Sequence, residues 1–328
     1  MHIHEVTIVG AGPAGLFTTF YAGLRSLDVH LIESLDELGG QPNHLYPEKN
    51  IYDIPGHPAI KGSELINQLT EQMQRYQPKI TLGEQVLTVT PILQDNQLSY
   101  YEIETQKNTY YSRTVIVAAG NGAFTPRKLT TQSLTPEFES HIHYFIKDLQ
   151  HFSGKNVTIF GGGDSAVDWA LELSKVAKSV AIVHRRDQFR ALESNVNAME
   201  KRGVQIHTSS QLKSIQGTER IESLTLDHIQ SKEVLTLPID EIVVAYGYSM
   251  NLGPIKKWGF DFKRNAIEVS SFLETNLPGI YAVGDIATYS EKIKLIAISF
   301  SEGIKAINHI VTQLYPNDQS HSIHITHQ

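Results

Sequence analysis

Apolar positions follow two rhythms along this chain. Val6-Thr7-Ile8-Val9 and Val157-Thr158-Ile159-Phe160 are short, nearly continuous apolar runs, as expected of strands buried on both faces. Each runs into a glycine turn, Gly10-Ala11-Gly12-Pro13-Ala14-Gly15 and Gly161-Gly162-Gly163. Each turn opens a stretch with helical apolar spacing, LFTTFYAGLRS and AVDWALELSKVA, and then a second apolar run, Val29–Ile32 and Ser179–Val183. Two strand–turn–helix–strand units are therefore predicted. From 80 to 117 the rhythm changes to alternation (QVLTVTPIL, LSYYEIET, NTYYSRTVIVAAG), which predicts antiparallel strands joined by polar turns such as Gln94-Asp95-Asn96. The stretch from 204 to 245 reads the same way. A late apolar run, GIYAV, ends in Gly284-Asp285 and is expected to feed a helix N-terminus directly.

The glycine turns carry the first chemistry. Gly10 permits the tight turn, Gly12 lets the backbone approach a pyrophosphate, and Gly15 lets helix and strand pack closely. Glu33 closes the next strand, where a carboxylate accepts hydrogen bonds from a ribose diol and repels a 2′-phosphate. In the second turn Ala166 replaces the third glycine, and Asp164 and Ser165 open the helix. Glu33 stands 23 residues after Gly10, and the same offset from Gly161 lands on His184, followed by Arg185 and Arg186. Arg190 is one turn further if that stretch is helical. Guanidinium forks match phosphate oxygens, so this turn is expected to hold NADPH, its pyrophosphate on Gly161, Gly162, Gly163, Asp164 and Ser165.

Composition narrows the remaining choices. The 328 residues suffice for two domains, and 41% apolar with 19% charged residues reads as globular. A net charge of −7 disfavours nucleic-acid partners. No apolar run reaches the ~20 residues of a membrane span, and the start MHIHEVTIVG lacks a leader pattern, so a mature cytoplasmic chain is expected. There is no cysteine, which excludes disulfides, thiol nucleophiles and iron–sulfur ligation by this chain. The 15 histidines show no metal-ligand spacing, and no metal is expected.

Pro13 in the first turn, together with Gly39-Gly40-Gln41, resembles the flavin-binding half of the thioredoxin-reductase-like flavoproteins. That family carries a Cys-x-x-Cys before its second glycine turn. HIHYFIKDLQHFSGKN has none here, so disulfide reduction by a dithiol of this chain is excluded. What remains is similar to the thioredoxin-reductase-like ferredoxin–NADP reductases of bacteria. The resemblance rests on GGQPNHLYPEKNIYDIPG, GNGAFTPR, GGGDSAVDWA, HRRDQFRA, NLGPIKKWGF and KLIAISFSEGIKAIN, which span nearly the whole chain.

The resemblance implies an α/β fold of two Rossmann-like domains of the three-layer ββα type. The NADP domain (119–247) is inserted into an FAD domain (1–118 and 248–328), and two connections between them make a swivel. FAD is expected at Gly10, Gly12, Ala14, Gly15, Glu33 and Asp285, with Gln41, Tyr46, Val86 and Phe124 around it. Tyr46 and His324 would stack on the ring, with Thr326 near its reactive edge. It also implies a homodimer. Hydride transfer from NADPH to flavin N5 would precede single-electron transfer to ferredoxin or flavodoxin. An NADPH oxidase or diaphorase using oxygen or quinones, and a non-catalytic flavin sensor, are the alternatives. Lys256-Lys257 and Lys292-Lys294 are candidates for carrier docking.

Overall fold

The computed structural model describes residues 1–131 and 133–317. Its main elements begin with β1 (Ile3–Val9), α1 (Pro13–Leu24), β2 (Val29–Ile32), α2 (Gly40–His44) and α3 (Gly62–Gln74). Then come β3 (Lys79–Thr81), β4 (Val86–Gln94), β5 (Gln97–Thr105) and β6 (Thr109–Val117). After these follow β7 (Ile142–His143), β8 (Asn156–Gly161), α4 (Asp164–Leu173), β9 (Ser179–Val183) and α5 (Glu193–Lys201). The next strands are β10 (Gln205–His207), β11 (Ser210–Gly217), β12 (Ile221–His228), β13 (Val234–Pro238) and β14 (Glu241–Ala245). The chain returns through β15 (Ile280–Ala282) to α6 (Ile296–Leu314). Two compact units result: Met1–Ala123 with the chain from Met250, and Phe124–Ser249.

In the first unit the strand order is β3-β2-β1-β6-β5-β4. β3, β2, β1 and β6 run parallel, and β6, β5 and β4 form an antiparallel meander. The outer edge of β6 is shared: Thr109–Ser112 pairs with β5, and Val115–Val117 pairs in parallel with β15. Val6, Ile8 and Ile116 pack with Leu16, Ile66 and Ile307 of the helices, while Val9, Ile32, Val115 and Val117 pack with Val86, Ile103, Trp258 and Phe260. This two-sided burial explains why β1 and β2 read as unbroken apolar runs. Gln94-Asp95-Asn96 is indeed the β4–β5 turn, with Asp95 and Asn96 both left-handed (φ 50° and 63°).

The second unit has a parallel sheet of order β7-β14-β8-β9-β10. Ile159 and Ile182 pack with Val167, Leu173 and Met199 of α4 and α5. Phe160, Val183 and Val244 face Ile215, Leu224 and Leu226 of the antiparallel β11-β12-β13 layer. Helices, parallel sheet and antiparallel sheet make three layers. The expectation of antiparallel strands throughout 204–245 is corrected at both ends, because β10 and β14 join the parallel sheet. EIVVA in β14 is a continuous apolar run, as a central parallel strand requires.

Candidate functional site

The two glycine turns are the same construction built twice. Val9 pairs with Ile32 and Phe160 with Val183, so Glu33 and His184 are equivalent positions, each one residue past the last paired residue. At the first turn Gly10 (φ 108°) donates its N–H to Ile32 O at 2.8 Å, and a Cβ there would meet Ala118 O at 2.6 Å. A Cβ on Gly15 would stand 1.8 Å from Gly10 O, so only glycine lets α1 start against the turn. Gly161 is similarly closed, its Cβ position 2.6 Å from Ala245 O.

The N-cap glycines behave differently. Gly12 and Gly163 have extended backbones and no side-chain cap, and a Cβ on either would meet nothing within 4 Å. Open space in front of an uncapped helix N-terminus is what an incoming pyrophosphate needs. Both cradles therefore fit a dinucleotide.

The equivalent side chains set the two pockets apart. Glu33 is buried; its Oε2 accepts from Ala11 N at 2.7 Å, and its Oε1 accepts from Leu35 N at 2.9 Å and Ser34 Oγ at 3.0 Å. Each carboxylate oxygen has two lone pairs and three of the four are taken, so Oε2 can still accept from one ribose hydroxyl. In the second turn the His184 ring lies over Gly162, where a Cβ would be 2.2 Å from Nδ1, and stacks on Phe189 at 5.5 Å. Burial, and then Arg186, Arg185 and Arg190, hold the His184 pKa down. The imidazole therefore stays neutral while three guanidiniums carry the positive charge.

Arg185, Arg186 and Arg190 are exposed. The segment around them is not helical. Instead Arg190 N donates to Gly162 O at 2.7 Å and Arg190 bridges to Gly163, which returns the backbone to the turn by a strand contact. Leu192 N donates to Asp164 Oδ1 at 3.2 Å and closes the loop over the start of α4. Tyr246, which the sequence reading missed, lies within the field of Arg185. Burial raises its pKa and Arg185 lowers it.

Around the first turn the structure gathers most of the expected residues. Gly39 (φ 113°) donates to Ala11 O at 2.8 Å, and the Gly40 Cβ position is 3.0 Å from Gly12 Cα, so α2 folds against the turn. The Gln41 amide lies beside Gly120. Gly284 (φ 76°) sits against Ala14, and Asp285 Oδ2 accepts from Asn121 Nδ2 at 3.2 Å. Tyr46 is pushed up to about 12 by burial and by the charges of Asp285 and Asp53. It is therefore a neutral hydroxyl beside the Asp285 carboxylate. Val86 is buried at the head of β4, two residues after Glu84, whose N–H donates to Glu33 O at 3.1 Å. The Phe124 side chain, His324 and Thr326 lie outside the described residues.

Two expectations change. No helix follows Gly284-Asp285 directly; a single 3-10 turn, Gly284–Ile286, comes first and α6 starts at Ile296. Glu302 of α6 reaches back instead and accepts from Gly284 N at 2.7 Å and Tyr289 Oη at 2.7 Å. Lys292, considered for docking, is 5% exposed and ion-paired with Glu302, so it offers no charge to a partner. Neither role has a periodic signal, because the loop between Asp285 and α6 alone sets which of these side chains meet Glu302.

Residues 4–303 match the model of the pyridine nucleotide-disulphide oxidoreductase family. The chain belongs to that family. It is an oxidoreductase of the family that lacks any cysteine. A relative described as ferredoxin–NADP reductase 2 from Listeria monocytogenes serotype 4b (strain F2365) is 48% identical over 325 residues, 99% of this chain and 97% of the relative. A second of that description, from Bacillus thuringiensis (strain Al Hakam), is 44% identical over 98% of this chain and 96% of its own. Among solved structures, thioredoxin reductase from T. acidophilum superposes with a TM-score of 0.77 at 25% identity, covering 96% of this chain and 99% of its own. This oxidoreductase shares that two-domain architecture. Among the described residues no helix is long and apolar enough to cross a membrane.

Proposed function

We propose that this oxidoreductase moves electrons between NADPH and ferredoxin or flavodoxin through bound FAD. The unit Met1–Ala123 with the chain from Met250 holds the flavin, and Phe124–Ser249 holds NADPH. The observation that carries the reading is the equivalence of Glu33 and His184. One strand end presents a carboxylate, and its twin presents a neutral imidazole followed by guanidiniums. The relatives named ferredoxin–NADP reductase support the carrier class, and the lack of cysteine removes the dithiol alternative.

When bound, the flavin accepts a hydride from the nicotinamide and releases its electrons one at a time. The chain supplies position and field. Gly12 and Gly163 leave room for two pyrophosphates at uncapped helix starts, with Gly10, Ala14 and Gly15 shaping the first turn and Gly161, Gly162, Asp164 and Ser165 the second. Glu33 receives the bare ribose, and Arg185, Arg186 and Arg190 receive the 2′-phosphate. Asp285 accepts from the ribityl hydroxyls, and Gln41 and Val86 flank the cofactor. Tyr46 covers one ring face as a neutral phenol, so it is no base at neutral pH. The protein acts as a cytoplasmic homodimer.

The test is nucleotide preference in the Arg185→Ala, Arg186→Ala double variant. A charge-assisted hydrogen bond contributes about 1.5–3 kcal/mol, and exposure reduces that, so about tenfold per arginine is expected. kcat/KM with NADPH should fall about a hundredfold and with NADH by less than about threefold. Equal losses for the two nucleotides would refute the assignment.

A further inference from the structure

The fold gathers histidines that are scattered in sequence. His141 and His143 bracket the start of β7, His151 lies in the connection to β8, and Glu241 opens β14, the parallel neighbour of both strands. The Glu241 carboxylate is only 3% exposed. Its Oε2 accepts from His143 Nε2 at 2.7 Å and stands 3.7 Å from His141 Nδ1. Its Oε1 accepts from His151 Nε2 at 3.2 Å and from Lys155 Nζ at 2.6 Å. One donor atom each from His143, His151 and Glu241 lies within 4.8 Å of the others. His141 Nδ1 is buried and has no hydrogen-bond partner among the described residues. The group sits where the parallel strands begin, whereas the Gly161–Gly163 turn sits where β8 ends, so nucleotide binding makes no use of it.

We propose that His143, His151 and Glu241 form a binding site for a divalent transition cation of the zinc class, with His141 as fourth ligand. Imidazole nitrogen and carboxylate oxygen are ligands for such ions at about 2.0–2.2 Å, which places tetrahedral donor atoms about 3.3 Å apart. The His151–Glu241 distance of 3.2 Å already matches. His143, which sits on the other carboxylate oxygen, has to open by about half an ångström relative to that spacing. His141, whose Nδ1 is 3.7 Å from Glu241 Oε2, stands outside the three-residue group and has to move in to complete it. The nitrogen-rich donor set disfavours calcium and magnesium, which take oxygen.

Lys155 is the built-in competitor. Its ammonium occupies Oε1, but its side chain is 32% exposed, so it can swing into solvent when a cation arrives. The other histidine–carboxylate group among the described residues, His2, His4 and Asp28, is open: His2 is 70% and Asp28 43% exposed. Burial of the carboxylate distinguishes the Glu241 site. The site is independent of the flavin and nucleotide assignments.

The experiment uses the full-length, flavin-loaded protein after chelation. Zinc is titrated by calorimetry, and cobalt(II) by absorption to the red of the flavin bands. One ion per chain with tetrahedral cobalt bands is expected. His151→Ala, at a half-exposed position, should weaken zinc at least about tenfold and abolish the bands, with NADPH oxidation and flavin content unchanged. Lys155→Met should tighten zinc, and His2→Ala should not alter it. Parental affinity in His151→Ala, or no binding in both the parent and Lys155→Met, overturns the proposal.

Discussion

Replacing Lys292 with methionine tests how the Gly284–Asp285 turn is held. Lys292 and Glu302 are 5% and 2% exposed, and the carboxylate also receives Gly284 N–H and the Tyr289 hydroxyl. Removing one partner of a buried ion pair typically costs 3–5 kcal/mol, because the remaining charge is left without compensation. Two hydrogen bonds stay with Glu302, so the lower end, about 3 kcal/mol, is expected. That is roughly a hundredfold in the folded-to-unfolded ratio. Urea unfolding at one fixed flavin concentration measures it, since free cofactor shifts the midpoint by mass action. The double variant Lys292→Met, Glu302→Gln removes the stranded charge and keeps an acceptor for Gly284, so it should recover about 2 kcal/mol of the loss. If Lys292→Met unfolds with the parent, or if the double variant is no more stable than the single one, the ion pair does not hold the turn.

Three further outcomes follow from the same structure. Gly15→Ala puts a methyl 1.8 Å from Gly10 O and should give colourless, poorly folded protein, whereas Gly12→Ala meets no protein atom and should fold with native circular dichroism but retain little flavin. Gly163→Ala should instead preserve flavin content and raise KM for NADPH without changing its kcat by more than about threefold, as stopped-flow reduction would show. His30 is fully buried, its Nε2 bonded to Thr81 Oγ1 at 2.9 Å, and burial lowers its pKa to about 3. A histidine with a depressed folded pKa stabilises fully above the unfolded value of 6.5 and loses that contribution as pH falls toward 3. Between pH 6.5 and 4 the parent should lose about 3 kcal/mol from this group, and His30→Leu should flatten that part of the stability profile; an unchanged profile would contradict the burial argument.

Local chemistry in the sequence determined a good deal of this protein. Continuous apolar runs ending in glycine mark β1 and β8, helical spacing marks α1 and α4, and alternation marks the β4–β6 meander, because each signal is complete within a dozen residues. The shared offset of Glu33 and His184 was visible too, and strand register turned it into equivalence. Local periodicity could not say which strand pairs with which. β10 and β14 border an antiparallel stretch in sequence yet belong to the parallel sheet, since β14 finds its partners in β7 and β8, far back along the chain. The Glu302–Lys292–Gly284 tie, the His184 ring over Gly162 and the histidines around Glu241 also needed the tertiary structure. The first joins residues 10 to 18 positions apart through a loop with no periodic signal, and the others bring together residues from separate strands and their flanking loops. Burial then turns an ordinary lysine or histidine into one whose charge and hydrogen bonds must be satisfied in place.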